Sequence, residues 1–376
     1  MTRKRGMPLA TSPVFEWKTV AANVPREPTM KDQHPSGDRV ERRNFLRLGS
    51  AGLVGSFLTV DAAQAAARPD RDRPASATIG RPVRVISLSF RDRPLAEIVE
   101  QVDREGSRGA DLIALPETWR GQRGDTRETL DGPTVTAMAA LARKHASYIV
   151  CPIDRQDGPR RRNTAVLIDR KGQVVLTYDK VYPYWSEFDL RPAVNPGRDV
   201  PVHQADFGRV GLAICFDVNF PEVWQRLADQ GAELVIWPSA YSAGSSLMAH
   251  AINHHFYIVT ATLLSDCLVY DITGRLLLDE RSKGVHISRI TLDLDRGIYH
   301  QNFNIAKRDR LLREHAAAVR QEEWLDREQW FVLKARGPGV SARGLARQYG
   351  LEELRSYKSR SRREIDQRRS RESPGK

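Results

Sequence analysis

The sequence predicts an α/β fold with a mixed sheet or two sheets, and three observations support this prediction. From residue 83 onward, the spacing of apolar residues switches repeatedly between a period of about two, typical of strands, and about 3.6, typical of helices. Strand-like runs are frequent, and helical stretches of about 10 to 14 residues separate only some of them. The 376-residue chain is 40% hydrophobic and 28% charged, which excludes both a disordered chain and a polytopic membrane protein.

The predicted elements follow one another closely along the body of the chain. In its first half we predict strands at 83–90, 110–117 and 148–153, helices at 94–107 and 134–146, and a hairpin over 163–180. In its second half we predict strands at 209–215, 233–239 and 256–263, helices at 221–231 and 246–255, and further strands within 267–279 and 285–294.

The N-terminal region has the organisation of an export signal. Residues 41–67 begin with Arg42 and Arg43, continue with an apolar run over 48–60 and end in small residues, which predicts a signal peptide resembling the twin-arginine type. The apolar run of about 13 residues is shorter than the roughly 20 that span a bilayer. The alternative is a short amphipathic helix beside an arginine pair that occurs by chance.

The resemblance to a twin-arginine signal implies export of the folded protein by the twin-arginine machinery to the periplasm or the outside of the cell, with a soluble mature form. Residues 1–40 are predicted to be a disordered leader, and Met30 is an alternative start. Residues 68–82 are rich in Pro and Arg and are predicted to form a flexible linker.

The C-terminal residues 301–376 differ from the body because they are highly charged and helical in pattern, so we predict a helical C-terminal extension. Trp324, Trp330 and Phe331 predict that this extension docks on another surface. The last dozen residues, rich in Arg and Ser, are predicted to be disordered.

The positive charge of the chain is concentrated at its two ends. Of the net +12, residues 1–82 carry about +6 and residues 301–376 about +8, which leaves about −2 for the middle. A near-neutral centre without a zinc-finger, RNA-recognition or helix-turn-helix motif is not typical of a nucleic-acid groove, so we expect no nucleic-acid partner.

The three cysteines, Cys151, Cys215 and Cys267, are too few and too scattered for a disulfide framework or for a metal site with paired ligands. At least one of them must be a free thiol. We therefore expect no metal and no cofactor, and we expect a chelator to leave the activity unchanged.

Three polar residues close three apolar strands. Glu117 ends one predicted strand, Lys180 ends the second strand of the hairpin, and Cys215 ends the strand that begins at residue 209. Strand ends are where α/β folds assemble sites, because the sheet holds each side chain while the loops leave room for a substrate. Each residue alone is more typical of packing or of a solvated loop.

Chemistry explains why these three residue types belong together. A thiol attacks an amide or nitrile carbon as a thiolate, so Cys215 needs a base and a positive environment that lowers its pKa. Glu117 can act as that base and then protonate the leaving amine. The Lys180 ammonium and the backbone N–H of Phe216 can stabilise the oxyanion of the tetrahedral intermediate.

The strings around these residues resemble the nitrilase, or carbon–nitrogen hydrolase, superfamily. They are ADLIALPET around Glu117, YDK at Lys180, VNPGRDVPVHQADFGRVGLAICFD leading into Cys215, and FPEVWQRLADQGAELVIWPSAY after it. The resemblance covers about residues 83–300, and it implies an α-β-β-α sandwich, pairing into a homodimer or larger homo-oligomer, and a catalytic set of Glu117, Lys180 and Cys215.

The resemblance also suggests residues that orient the substrate. Members of the family tend to hold a second glutamate after the lysine, and Glu187 is the candidate here, with a solvated loop residue as the alternative. In the loop 182–195, Tyr184 and Trp185 offer aromatic walls and Arg191 a cation for a carboxylate, although the aromatic residues could equally be interface anchors and Arg191 a surface charge.

Two further positions carry predictions. Asp217, two residues after the nucleophile, is expected to be structural. In the helix where the family usually carries an Arg and a Glu, this chain has His250 and Asn253 at those places. His254 and His255 are then candidates for substrate contact, with a structural role as the alternative.

The residues beside the nucleophile bear on the substrate. Nitrile-cleaving members tend to have Cys-Trp-Glu, whereas amide and carbamoyl hydrolases favour Cys-Tyr/Phe-Asp/Glu, and this chain has Cys215-Phe216-Asp217. The resemblance therefore implies hydrolysis of a small-molecule amide or N-carbamoyl compound. The alternatives are nitrile hydrolysis by the same residues and a non-catalytic member that binds a ligand.

Overall fold

The computed structural model describes residues 78–372, with the side chain of Glu372 excepted. The predicted leader 1–40, the signal peptide 41–67 and residues 68–77 of the predicted linker lie outside the described residues, and these assignments stay predictions. None of the helices in the described part is both long enough and apolar enough to cross a membrane.

The described residues form fifteen strands and eight helices. The strands are β1 (Pro82–Ser89), β2 (Leu112–Ala114), β3 (Tyr148–Asp157), β4 (Arg160–Ile168), β5 (Val174–Asp179), β6 (Val202–Ala205), β7 (Gly208–Leu212), β8 (Leu234–Ser239), β9 (Tyr257–Thr262), β10 (Asp266–Tyr270), β11 (Leu276–Arg281), β12 (His286–Asp293), β13 (Gly297–His300), β14 (Val319–Leu325) and β15 (Trp330–Ala335). The helices are α1 (Leu95–Gly106), α2 (Pro133–His145), α3 (Trp185–Phe188), α4 (Pro221–Asp229), α5 (Gly244–His254), α6 (Ile305–Glu314), α7 (Ala342–Gln348) and α8 (Leu354–Glu372).

Two six-stranded mixed sheets make up the body. The first has the order β12-β1-β2-β3-β4-β5 and the second the order β11-β10-β9-β8-β7-β6. In each sheet a central set of parallel strands is flanked by antiparallel ones: β1, β2 and β3 are parallel in the first sheet, and β7, β8 and β9 in the second.

The alternation of side chains along β1 shows how the layers are arranged. Val85 packs in the core between the two sheets, and the Ser87 hydroxyl donates to the Thr260 carbonyl of β9 at 2.6 Å. Ile86 and Leu88 point to the opposite face and pack against α1 and α2. Helices α4 and α5 cover the second sheet, so the body is the predicted α-β-β-α sandwich.

Helices α1 and α2 pack closely on the outer face of the first sheet. The buried Ile98 and Val102 lie on one face of α1, as expected for an amphipathic surface helix. At its end, Gly106 lies against the His145 ring of α2, where an added Cβ would come within 2.5 Å of a ring atom. Only glycine therefore allows this approach without a shift of the neighbour.

The C-terminal extension is built around a third sheet of order β13-β15-β14 and ends in α8, the predicted helical end. The β14–β15 hairpin was not expected, because three of the seven residues of β14 are charged and mask its strand character. Phe331 is buried in the extension's own core, and Trp330 packs edge-on against His255 of the body. Helix α8 continues to residue 372, into the stretch predicted to be disordered.

Candidate active site

Six of the seven residues predicted for the site lie around one cavity of about 540 Å³. They are Glu117, Lys180, Tyr184, Glu187, Cys215 and Phe216. Trp185, the seventh, is not among the lining residues; its side chain is 74% exposed and packs edge-on against Phe188.

The three predicted catalytic side chains reach the cavity from strand ends of both sheets. In the first sheet, Glu117 lies shortly after β2 and Lys180 directly follows β5. In the second sheet, Cys215 lies shortly after β7 and begins a 3₁₀ helix over Cys215–Asn219. The site therefore depends on the packing of the two sheets against each other.

Lys180 is fully buried between two carboxylates. Its Nζ lies 2.8 Å from Glu117 Oε1 and 2.6 Å from Glu187 Oε2. Burial alone would lower the pKa of Lys180, but the attraction of Glu117 and the other negative groups outweighs it, so the pKa lies above its ordinary value. Burial likewise acts to raise the pKa of Glu187, and the Lys180 ammonium and hydrogen bonds bring it below its ordinary value.

Asn163, in the middle of β4, joins the same two carboxylates. Its Nδ2 donates to Glu117 Oε1 at 2.7 Å and to Glu187 Oε1 at 2.8 Å. Both neighbours are acceptors, so only this orientation of the amide is compatible with them. Sequence reasoning missed Asn163 because the predicted strand begins at this residue and only residues that close strands were considered, whereas β4 in fact begins at Arg160.

The hydrogen bonds of Glu117 leave one acceptor position open. Oε1 accepts from Lys180 Nζ and from Asn163 Nδ2, whereas Oε2 accepts from the Ala240 N–H at 2.8 Å. A carboxylate oxygen can accept two hydrogen bonds. Oε2 can therefore take a proton without losing the contacts that hold the side chain in place.

Cys215 has a backbone conformation that non-glycine residues rarely adopt, with φ of 46°. Its carbonyl accepts a hydrogen bond from Trp237 Nε1 at 3.1 Å, which holds the turn between β7 and the 3₁₀ helix. Burial, with the Glu117 carboxylate adding to it, raises the pKa of the Cys215 thiol despite the opposing effect of Lys180. The expected lowering of this pKa is therefore not found, because desolvation outweighs the single cation.

Asp217 holds the segment that carries Cys215. Its Oδ2 accepts from the Tyr178 hydroxyl at 2.6 Å and from the Ile214 N–H at 2.9 Å, and its Oδ1 accepts from the Tyr182 N–H at 2.8 Å. Burial raises the pKa of Asp217 to about 6, and these donors oppose that rise. The contacts tie β5 and the following loop to the turn at Cys215, in agreement with the structural role expected for Asp217.

The substitution Asp217→Asn is expected to lower the free energy of unfolding by about 1–3 kcal/mol, because the amide NH₂ would face donors that now need an acceptor. Urea unfolding at pH 7.5 measures the change. Asp229→Asn, on the exposed surface of α4, is the matched control and should change stability by less than about 0.5 kcal/mol. Equal effects of the two substitutions would contradict the structural role of Asp217.

The remaining cavity wall is largely aromatic and apolar, with Trp119, Tyr241 and Leu263, while Arg91 and Asp92 add charge. Tyr184 packs edge-on against Phe216 with ring centroids 5.2 Å apart.

Arg191, the predicted cation of this loop, lies elsewhere. Its Nη1 donates to the carbonyls of Asp189 and Leu190, and it does not line the cavity. The cavity is lined instead by Arg91, a second cation besides Lys180, which the motif-based prediction did not consider.

The two histidines considered for substrate contact have structural partners. His254 stacks on Phe256, and His255 Nδ1 lies 3.2 Å from the Ile272 carbonyl. Neither lines the cavity. Among residues 78–372, no group of three or more His, Cys, Asp or Glu side chains is arranged to hold a metal ion.

Comparison with known proteins identifies similar sequences. A family model described as "Carbon-nitrogen hydrolase" matches residues 92–297. The deaminated glutathione amidase of Synechocystis sp. (strain PCC 6803 / GT-S) is 28% identical over 260 residues, which cover 57% of this chain and 93% of the relative. The omega-amidase NIT2 of Danio rerio is 24% identical over 185 residues, which cover 44% of this chain and 66% of the relative.

Solved structures share the fold. An amidase from Nesterenkonia sp. superposes with a TM-score of 0.50 at 23% identity, over 58% of this chain and 92% of that one. Nit3 of Saccharomyces cerevisiae, a member of branch 10 of the nitrilase superfamily, gives a TM-score of 0.50 at 19% identity, over 58% of this chain and 93% of that one.

Proposed function

The chain belongs to the carbon-nitrogen hydrolase family, and from this premise we propose that it hydrolyses an amide or N-carbamoyl compound through a thioester on Cys215. The observation that carries the proposal is the contact of Lys180 with both Glu117 and Glu187 at the wall of a cavity that Cys215 also lines. Several relatives are named amidases, which supports amide rather than nitrile hydrolysis.

In the acylation step, Cys215 Sγ attacks the carbonyl carbon of the substrate while Glu117 Oε2 takes the thiol proton. The two events must be coupled, because the raised pKa of the Cys215 thiol keeps it protonated before substrate arrives. The oxyanion forms beside the Lys180 ammonium, and the N–H of Phe216 is a second candidate donor. Glu117 then gives its proton to the leaving nitrogen as the carbon–nitrogen bond breaks.

In the deacylation step, water attacks the thioester carbon and Glu117 again accepts a proton. The carbon–sulfur bond breaks, the proton returns to Cys215, and the acid is released. Glu187 and Asn163 act on this cycle through Lys180 and Glu117, whose positions they hold by hydrogen bonds. They are therefore positioning residues in this mechanism.

An ammonia-release assay with aliphatic amides, N-carbamoyl amino acids and nitriles of matched chain length tests the proposal. We expect turnover of at least one amide or carbamoyl compound, and mass spectrometry should detect an acyl or carbamoyl adduct on Cys215. Turnover of nitriles alone would favour the nitrilase alternative, and no turnover with any compound would favour a ligand-binding protein.

The cavity also predicts a preference for substrates that carry a carboxylate. Arg91 is an exposed residue that lines the cavity, and it forms no ion pair among the described residues. Arg91→Gln is expected to raise KM about tenfold for an amide whose far end is a carboxylate, because a charge-assisted hydrogen bond is lost. KM for an uncharged amide of the same length should change little.

Arg191→Gln is the matched control for this experiment, since Arg191 contacts carbonyls of its own loop and not the cavity. A similar rise in KM for the charged and uncharged amides, or the same effect from Arg191→Gln, would contradict the assignment to Arg91.

A further inference from the structure

A second cavity, of about 600 Å³, lies where the body meets the C-terminal extension. We call it the arginine cavity, because five arginines line it together with three acidic residues. The arginines are Arg81, Arg209, Arg343, Arg347 and Arg355, and the acids are Glu233, Asp295 and Glu353. It shares no lining residue with the cavity that contains Cys215, and it carries two positive charges in excess.

The acidic residues of the arginine cavity are already engaged. Glu233 Oε1 lies 2.5 Å from both Arg81 Nη2 and Arg343 Nη1, and Glu353 Oε1 lies 2.5 Å from Arg343 Nε. Asp295 accepts hydrogen bonds at the N-terminal end of α7. Glu233 and Glu353 therefore pair directly with Arg81 and Arg343, and neither forms an ion pair with the side chains of the other three arginines.

The side chains of the other three arginines form no ion pair within residues 78–372. Arg355 donates to the carbonyls of Ala232, at 2.7 Å, and His255. Arg209 Nε donates to the Gln204 side chain at 3.1 Å. Arg347 forms no ion pair in the described part of the chain and is exposed at the mouth.

Among these three arginines, the electrostatic penalty of burying the charge is greatest at Arg355. Burial, with the nearby Arg343 adding to it, lowers the pKa of Arg355 to about 10. The Glu353 and Glu233 carboxylates oppose this lowering but do not cancel it, and the carbonyl partners of Arg355 supply only partial charges, so a further anion would stabilise the guanidinium. Glycine at position 231 lets the Arg209 guanidinium reach the cavity wall, where it can contact such an anion. An added Cβ at Gly231 would lie 2.6 Å from Arg209 Nη1.

We propose that the arginine cavity binds a small oxyanion, a phosphate or carboxylate group, between Arg209, Arg347 and Arg355. Guanidinium groups recognise such groups through paired, charge-assisted hydrogen bonds. Arg209 belongs to β7 of the body, whereas Arg347 and Arg355 belong to α7 and α8 of the extension. The anion therefore bridges the two regions and stabilises the docked extension, as any ligand of the folded state does.

Thermal unfolding of the full-length protein, with inorganic phosphate or malonate added at constant ionic strength, tests the proposal. We expect the melting temperature to rise to a plateau with at least one of these probes. In Arg347→Gln the half-saturating concentration should increase at least about tenfold. Arg347 is exposed, so this substitution leaves the fold in place, whereas Arg355 is half-buried and donates to the Ala232 carbonyl, so replacing it would not separate binding from folding.

Arg368→Gln is the matched control, because Arg368 is an exposed residue of α8 outside the cavity and the change in charge is the same. Phosphate also stabilises proteins generally, and the comparison of the two variants removes that effect. Tighter saturation by phosphate points to a phosphate-bearing ligand, and tighter saturation by malonate to a carboxylate; both support the site. No plateau with either probe, or equal loss in Arg368→Gln, would overturn it.

Discussion

Replacing Cys215 by alanine is expected to abolish turnover, with kcat falling by at least about 10⁴-fold. Alanine keeps the backbone and removes the only atom that can form the thioester, so neither Glu117 nor Lys180 has a nucleophile to assist. Because the substitution removes one buried sulfur and leaves the charged groups in place, the fold should persist. Steady-state ammonia release and thermal unfolding, measured on the same preparation, check both statements.

Cys151→Ala provides the matched control. Cys151 is also fully buried, but it lies in β3 among the side chains that pack against α1 and α2, on the outer face of the first sheet. Its loss should cost about 1 kcal/mol or less of stability and leave kcat per folded molecule unchanged. Turnover by Cys215→Ala equal to that of the unsubstituted protein would end the assignment of the nucleophile.

The strand ends predicted that Glu117, Lys180 and Cys215 would lie together, and all three line one cavity, because a sheet constrains the direction in which the chain leaves it. Residues that follow β2, β5 and β7 leave the sandwich in defined places, so Glu117, Lys180 and Cys215 could be grouped from three short strings. The α-β-β-α layering and the position of Glu187 came from the resemblance to a family, since a period of apolar residues cannot tell one mixed sheet from two.

Other parts of the site could not be anticipated from residue types. The acceptor pattern of Glu117 depends on the N–H of Ala240, a group that every residue other than proline possesses. Trp185 and Arg191 had suitable chemistry for a cavity wall, but the direction of a loop side chain follows from the loop's path, which no local pattern specifies. The path of its loop likewise brings the Arg91 side chain to the cavity, and no local pattern predicts this.

The second large effect is expected from Lys180→Met, which should lower kcat at least about 10³-fold and destabilise the fold. The reason is the set of hydrogen bonds that Lys180 makes. Without the ammonium, two buried carboxylates share only amide and backbone donors, and removal of one partner from a buried ion pair costs about 3–5 kcal/mol. One of the carboxylates would then take up a proton at neutral pH, and Glu117 would no longer be held as a base beside a developing oxyanion.

The pH dependence of stability distinguishes this role from simple packing. The pKa of Glu187 lies below its ordinary value of 4.5 in the folded protein, so its pairing contributes stability above about pH 4.5 that is lost as the pH falls through the folded value. The pKa of Lys180 is raised, so its contribution is present below about 10.5 and is lost only at higher pH. The difference in unfolding free energy between the protein and Lys180→Met should therefore be largest between these limits and shrink in acid.

Lys171→Met is the control, because Lys171 lies in the exposed turn of the same hairpin, and its effect on the unfolding free energy should not depend on pH. If the effect of Lys180→Met stays constant from pH 7.5 to pH 4, Lys180 stabilises the fold by packing instead of by charge.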